Sequence, residues 1–187
     1  MIEQREGRKP ALTQQTICIE VVTQSDINET AETMNPLVSA GQQLGVVSLE
    51  TCRISQLYYL QGEIDDTAIT TLAESILADP VTESWHLHDL QSAGSTASGT
   101  HFVEVSLLPG VTDSAATNLV RAAHELGIAG LERAATGQRY DLTGDLSSGQ
   151  LELLASGLFA NPVIQRYAID TAAVAAVSPL SGGRRHG

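Results

Sequence analysis

Long apolar runs are missing from this chain of 187 residues, and none approaches the roughly 18 residues that a membrane-spanning helix needs. No apolar leader opens it either, so the expectation is a soluble, cytoplasmic protein. Basic charge is scarce: ten Lys and Arg residues stand against 22 Asp and Glu, the net charge is −12, and Lys9 is the one lysine. Nucleic-acid binding needs clustered Arg and Lys to meet phosphates, so that class is excluded. Cysteine is limited to Cys18 and Cys52. Both lie in the first half, on segments that read as strands, so they are taken as small buried or edge apolar residues rather than a disulfide or a metal pair.

Catalytic signatures are missing as well. There is no G-x-S-x-G elbow for a serine nucleophile. The glycine- and serine-rich stretch from Ser92 to Gly99 lacks the Lys of a phosphate loop, and no G-x-G-x-x-G opens a helix after a strand. Asp65 and Asp66 read as charges at a helix N-terminus. His86 and His88, two apart on a strand, point the same way and have the spacing of a metal grip. With no carboxylate or cysteine at telling spacing, they are expected to be surface histidines. His124 is expected to be a partly exposed helix residue.

What the chain does contain is its own text twice. Leu44, Gly45, Leu49, Glu50, Gln56, Tyr58, Leu60 and Gly62 recur 82 positions later as Leu126, Gly127, Leu131, Glu132, Gln138, Tyr140, Leu142 and Gly144. Leu72, Ala73, Ala78, Pro80 and Val81 recur as Leu154, Ala155, Ala160, Pro162 and Val163 in the same register. Upstream, Glu20-Val21 recurs as Glu104-Val105 at an offset of 84. The reading is a tandem duplication. Units of about 80 residues bury limited surface alone, so one pseudo-symmetric body is expected rather than two free beads.

The hydrophobic pattern gives each unit the order strand, helix, long strand, helix, strand. Ile17, Ile19 and Val21 alternate with Glu20 as in a half-buried strand. In the second unit, Asp113 or Ser114 caps a helix with Ala116, Leu119, Val120, Ala123 and Leu126 on one stripe, and Gly127 stops it. In the first, Met34, Leu37, Val38, Gly41 and Leu44 match, and Pro36 makes that helix begin near Asn35 and run shorter. The long segments 48–62 and 130–144 are expected to bend or bulge at Gly137 to Tyr140. Asp65 and Ser147 cap the second helices, Pro80 and Pro162 shut them, and last strands follow at 82–87 and 163–169.

The fold class is therefore α+β: two repeats, each a small, mainly antiparallel sheet with two helices on one face, packed as a pseudo-twofold dimer. The expected divisions are a mobile tail at 1–15, a first repeat at 16–90, a flexible linker at 91–100, a second repeat at 101–170 and a loose tail at 171–187. Two features stand out as candidate partner-binding sites. The turn Pro109-Gly110-Val111 offers backbone amides, and Gly137-Gln138-Arg139-Tyr140 places a guanidinium and an amide where glycine lets another chain approach.

The second unit, from Val103-Glu104-Val105 through Leu107-Leu108-Pro109-Gly110-Val111-Thr112-Asp113, Leu126-Gly127 and Gly137-Gln138-Arg139-Tyr140 to Asn161-Pro162-Val163-Ile164-Gln165-Arg166-Tyr167, resembles PurS. That family is the small subunit of phosphoribosylformylglycinamidine (FGAM) synthase. The first unit lacks the Pro-Gly turn and reads Asp79-Pro80-Val81-Thr82-Glu83 at its end. The resemblance implies a non-catalytic subunit that bridges the synthetase and glutaminase subunits in purine synthesis. It implies no cofactor on this chain, with ATP, Mg and glutamine used by the partners. A tandem chain would supply both halves of the family's dimer, an intramolecular pseudo-dimer that leaves further homodimerisation open. Leu108 and Gln138 stand where the family usually has Lys, which leaves Arg139 as the basic candidate. The alternative function is a tandem ACT-like small-molecule sensor.

Overall fold

The computed structural model describes residues 15–23, 35–88 and 99–171. The two tails, Met34 with the loop before it, and most of the linker lie outside these. The elements in order are β1 (Gln15–Thr23), α1 (Pro36–Gln43), β2 (Leu49–Gly62), α2 (Asp66–Leu72), β3 (Glu83–His88), β4 (Thr100–Leu107), α3 (Ser114–Glu125), β5 (Leu131–Gly144), α4 (Ser148–Leu154) and β6 (Gln165–Ile169). Both α2 and α4 widen into a π-helical end, at Ala73–Leu77 and Ala155–Phe159, each closed by a five-residue bond such as Ala78 N–H to the Ala73 carbonyl at 2.9 Å.

Local chemistry sets the helix limits. Asn35 Oδ1 accepts from Leu37 N–H, with Pro36 in the first turn where its missing donor is harmless. Asp65, Asp113 and Ser147 cap the other three, and Gln150 completes a reciprocal box with Ser147. After α1 and α3 the chain turns through Gly45 and Gly127, at φ +98° and +83°, where a side chain would be strained.

All six strands form one antiparallel sheet in the order β3-β1-β2-β5-β4-β6. The two units therefore meet edge to edge through β2 and β5, not by docking two separate sheets. Gln56 pairs with Gln138, the residue at its own position in the other unit, and the pairing on either side is symmetric about that point: Cys52 with Leu142, Leu60 with Ala134.

The helices cover one face, over two cores, and each core draws on both units. The first joins Val46, Leu49 and Cys52 to Val103, Tyr140, Leu142, Leu151, Leu154 and Phe159, with Leu37 and Val38 of α1 against it. The second joins Ile19, Leu60, Ile69 and Leu72 to Leu119 and Ala123 of α3 and to Leu131. Each unit's first helix thus packs over the other unit's second helix. Where α1 crosses α4, Gly41 leaves no room: a Cβ there would lie 2.7 Å from Leu49 and 3.0 Å from Leu154.

Three expectations are corrected. β5 runs unbroken through Gly137 to Tyr140, and the register shifts fall at the ends of the β2–β5 pair, not there. Gly137 instead fits a tight spot, where a Cβ would meet the Val105 carbonyl oxygen at 3.0 Å and the Tyr59 ring at 3.3 Å. The last strands start at Glu83 and Gln165, since turns anchored on Asp79 and Asn161 occupy the residues before them. Nor is β1 half-exposed, because Cys18, Glu20 and Val22, opposite the helix side, are buried too.

Candidate functional site

The burial of that second face comes from curvature. β3 and β4 are four strand positions apart, about 19 Å in a flat sheet. Yet His88 of β3 approaches Glu104 of β4, Nε2 to Oε1, at 3.5 Å. The sheet curls, and the face without helices is its concave side.

That hollow holds charge. Glu20 and Glu104, at matching positions in β1 and β4, are both buried. Glu20 Oε1 accepts from Ser55 Oγ at 2.5 Å, and its Oε2 lies 3.0 Å from both His86 Nε2 and His88 Nδ1. Glu104 accepts from Tyr59 Oη at 3.3 Å and from Arg139 at 3.2 Å. Arg139 also donates to Asp141 at 2.9 Å and lies 3.8 Å above the Phe102 ring centre, a cation–π stack. Burial alone would raise the Glu20 carboxyl, but hydrogen bonds from His88 and Ser55 outweigh it and hold it down at about 2. Hydrogen bonds to Glu104 and Glu20 raise His88 to about 9, against the cost of burial. Burial, then the nearby Glu104, pushes both the Cys18 thiol and the Tyr59 phenol up, so neither ionises near neutrality. Among the described residues, no group of three His, Cys, Asp or Glu side chains is arranged to hold a metal ion.

The expectation for His88 is corrected: its side chain is only 14 % exposed and bridges two carboxylates, whereas His86 is a surface histidine. The missing ligand partner was Glu20, 66 positions away in sequence and directly across the β1–β3 pair from His86. His124 is exposed on α3, with Nε2 at 2.8 Å from the Leu131 carbonyl. Both cysteines are free and buried, on opposite faces of the sheet, and burial raises Cys52 to about 12.

The candidate partner-binding residues do not form one site. Gly137 and Arg139 face the hollow, where the guanidinium is already engaged. Gln138 and Tyr140 face the helices, joined by a bond of 3.0 Å from Tyr140 Oη to Gln138 Oε1, and Tyr140 stacks on Phe159 at 4.2 Å. Pro109 and Gly110 lie apart, in an exposed turn closed by Val111 N–H to the Leu108 carbonyl at 3.1 Å, with Gly110 at φ +90°.

That turn has a neighbour the sequence did not point to. Leu108 N–H donates to the Ile164 carbonyl at 2.9 Å, which sets Pro109-Gly110-Val111 beside Pro162-Val163-Ile164. The second turn is rigidly built: Asn161 Oδ1 accepts from Val163 N–H, and Asn161 N–H donates to Gln165 Oε1. It holds Val163 78 % exposed at its tip, beside Ile164. The first unit builds the same turn with Asp79 and Glu83 and carries Val81 at its tip, 80 % exposed.

A comparison with curated proteins finds no match. A family model described as PurS, phosphoribosylformylglycinamidine (FGAM) synthase, matches residues 101–173, which run from β4 past β6 and include both neighbouring turns. Over those residues the chain is similar to the PurS family, which makes its second unit PurS-like.

Proposed function

We propose that this chain is a non-catalytic bridging subunit of FGAM synthase, joining the synthetase and glutaminase subunits so that ammonia passes between them. ATP, Mg and glutamine then belong to those partners, and this chain binds no cofactor. The observation that carries the reading is the meeting of the 108–111 and 161–165 turns at one exposed surface. Both are among the segments that carry the resemblance to the family, and together they present Pro109, Val163 and Ile164 to solvent on a hydrogen-bonded frame. An exposed apolar tip on a rigid turn is a docking feature, since its burial by a partner costs little ordering. The paired units fit the same reading: one chain supplies both members of a pair, and its two turns differ in charge, Asp79 and Glu83 against Asn161 and Gln165.

Glutamine-dependent synthesis by the two partner subunits, measured with and without this chain, tests the proposal. Activity that appears only when the chain is added supports it, and partners that transfer ammonia equally well without it refute it. Val163→Asp should abolish the restored activity and leave the unfolding free energy of the isolated chain, measured in urea, within about 0.5 kcal/mol of the parent, since the side chain makes no core contact.

A further inference from the structure

The hollow of the sheet poses a problem that one residue solves. Glu20 and Glu104 occupy matching strand positions, both are buried, and the curl turns them towards each other. Like charges in so dry a place repel strongly unless a cation lies between them. Arg139 serves Glu104 from β5, but the group that touches both carboxylates is His88, with Nδ1 at 3.0 Å from Glu20 and Nε2 at 3.5 Å from Glu104. A neutral imidazole donates from one nitrogen only, so donation to a carboxylate at each end requires the imidazolium. The two contacts and the raised ionisation of His88 agree on the imidazolium.

The bridge also spans an unusual distance in the fold. It ties β3, the outer strand of the first unit, to β4 of the second, with β1, β2 and β5 lying between them in the sheet. The matching position in the second unit makes no such tie. Asp170 there adopts φ +51° and turns outward, where its carboxylate accepts from Phe102 N–H at 2.9 Å and meets His101 Nδ1 at 2.8 Å. Among the described residues the curl is pinned by the first unit's side.

We propose that His88 is a latch: its imidazolium holds β3 and β1 of the first unit against β4 of the second, and its loss opens the concave face while the helix-side cores stay closed. The groups that face it are Glu20 and Cys18 from β1, His86 from its own strand, Tyr59 from β2, Arg139 and Asp141 from β5, and Glu104 from β4. Among them His88 is the cation with a raised ionisation near 9, so the latch is shut at neutral pH and releases as pH rises through about 9.

The two cysteines report on the two faces. Cys18 lies in the hollow, fully buried, and Cys52 lies in a helix-side core. In the full-length chain near neutral pH, alkylation of each cysteine is followed by peptide mass spectrometry. His88→Gln should raise the Cys18 rate about ten- to a hundredfold, the opening that loss of a charged hydrogen bond of this kind permits, with Cys52 unchanged. His86→Gln, which leaves both contacts of His88 in place, should change neither. A Cys18 rate unmoved in His88→Gln, or both rates rising together as in general loosening, overturns the latch. Comparing parent and His88→Gln at matched pH cancels the thiol's own ionisation. The two Cys18 rates should converge above about pH 9, and a gap that persists there overturns the pH release.

Discussion

Substitution of Gly144 by Ala tests the junction that makes one sheet of two units. Gly144 ends β5, where the β2–β5 register shifts at Leu49, and its backbone lies at φ +137°. A Cβ there would fall 2.0 Å from the Ser48 carbonyl oxygen, which is main chain and has no rotamer to yield. Gly62, at φ +156°, repeats the situation at the other end of the junction, with the Gly130 carbonyl oxygen at 2.0 Å. To reach even the closest contact that real Cβ atoms show, the strands must part by about 1 Å. Backbone strain at such a φ costs roughly 1–3 kcal/mol and a local overpacking about the same, so Gly144→Ala should lose about 2–6 kcal/mol. For a chain of this length that corresponds to a fall in Tm of roughly 4–24 °C. Gly149, inside α4 with nothing within 4 Å, is the matched control, and Ala there should gain about 0.4–1 kcal/mol by restricting the unfolded chain. Urea unfolding followed by the fluorescence of Trp85, the one tryptophan, reads both. A Gly144→Ala unfolding free energy within about 0.5 kcal/mol of the parent would refute the steric account.

Two further outcomes follow from the cores and the charges. His88, raised to about 9, contributes stability that is whole below its ordinary value and fades as pH rises through 9, whereas Glu20, held at about 2, contributes above its ordinary value and loses it as pH falls towards 2. The urea midpoint should therefore fall at both ends, and the alkaline fall should vanish in His88→Gln; an alkaline limb identical in that variant would discredit the bridge. Leu154→Ala and Leu72→Ala, both at fully buried positions, should each cost about 2–5 kcal/mol. Hydrogen exchange should quicken in α1 for the first and in α3 for the second, across the unit boundary, and quickening confined to the mutated unit would contradict the shared cores.

The elements were legible because their signals are local. Caps at Asp65 and Ser147, the choice of Asp113 or Ser114 for a third, a helix start near Asn35, the glycine stops at 45 and 127 and the proline stops at 80 and 162 each act within a few residues, and the structure agrees with them, with Asp113 as the third cap and Asn35 as a fourth. The charged hollow was not legible, because strand alternation marks Glu20 as solvent-facing and says nothing of curvature that buries both faces. A signal was present nonetheless: a Glu at the middle of a strand, repeated in both units, is a poor choice for a merely solvated position. Gly137 was misread in a similar way. A glycine inside a strand suggests a bulge, but here it makes room for the Val105 carbonyl and the Tyr59 ring, neighbours that only the folded chain supplies. The Pro109-Gly110 turn was legible, the turn at 161–164 was read as the start of a strand, and their adjacency depends on the β4–β6 pairing.

The exchange of first helices ties the fates of the two units on one side of the sheet and frees them on the other. Along the long strands three successive helix-side positions are the same in both: Gln56 and Gln138, Tyr58 and Tyr140, Leu60 and Leu142. Between them, facing the hollow, stand Arg53 and Ala135, Ser55 and Gly137, Leu57 and Arg139, Tyr59 and Asp141, no two alike. A change on the shared side is felt by its neighbour's core and must suit both, so that side keeps a common vocabulary. The hollow carries no such mutual veto, and there one unit has become a donor of imidazole and the other of guanidinium.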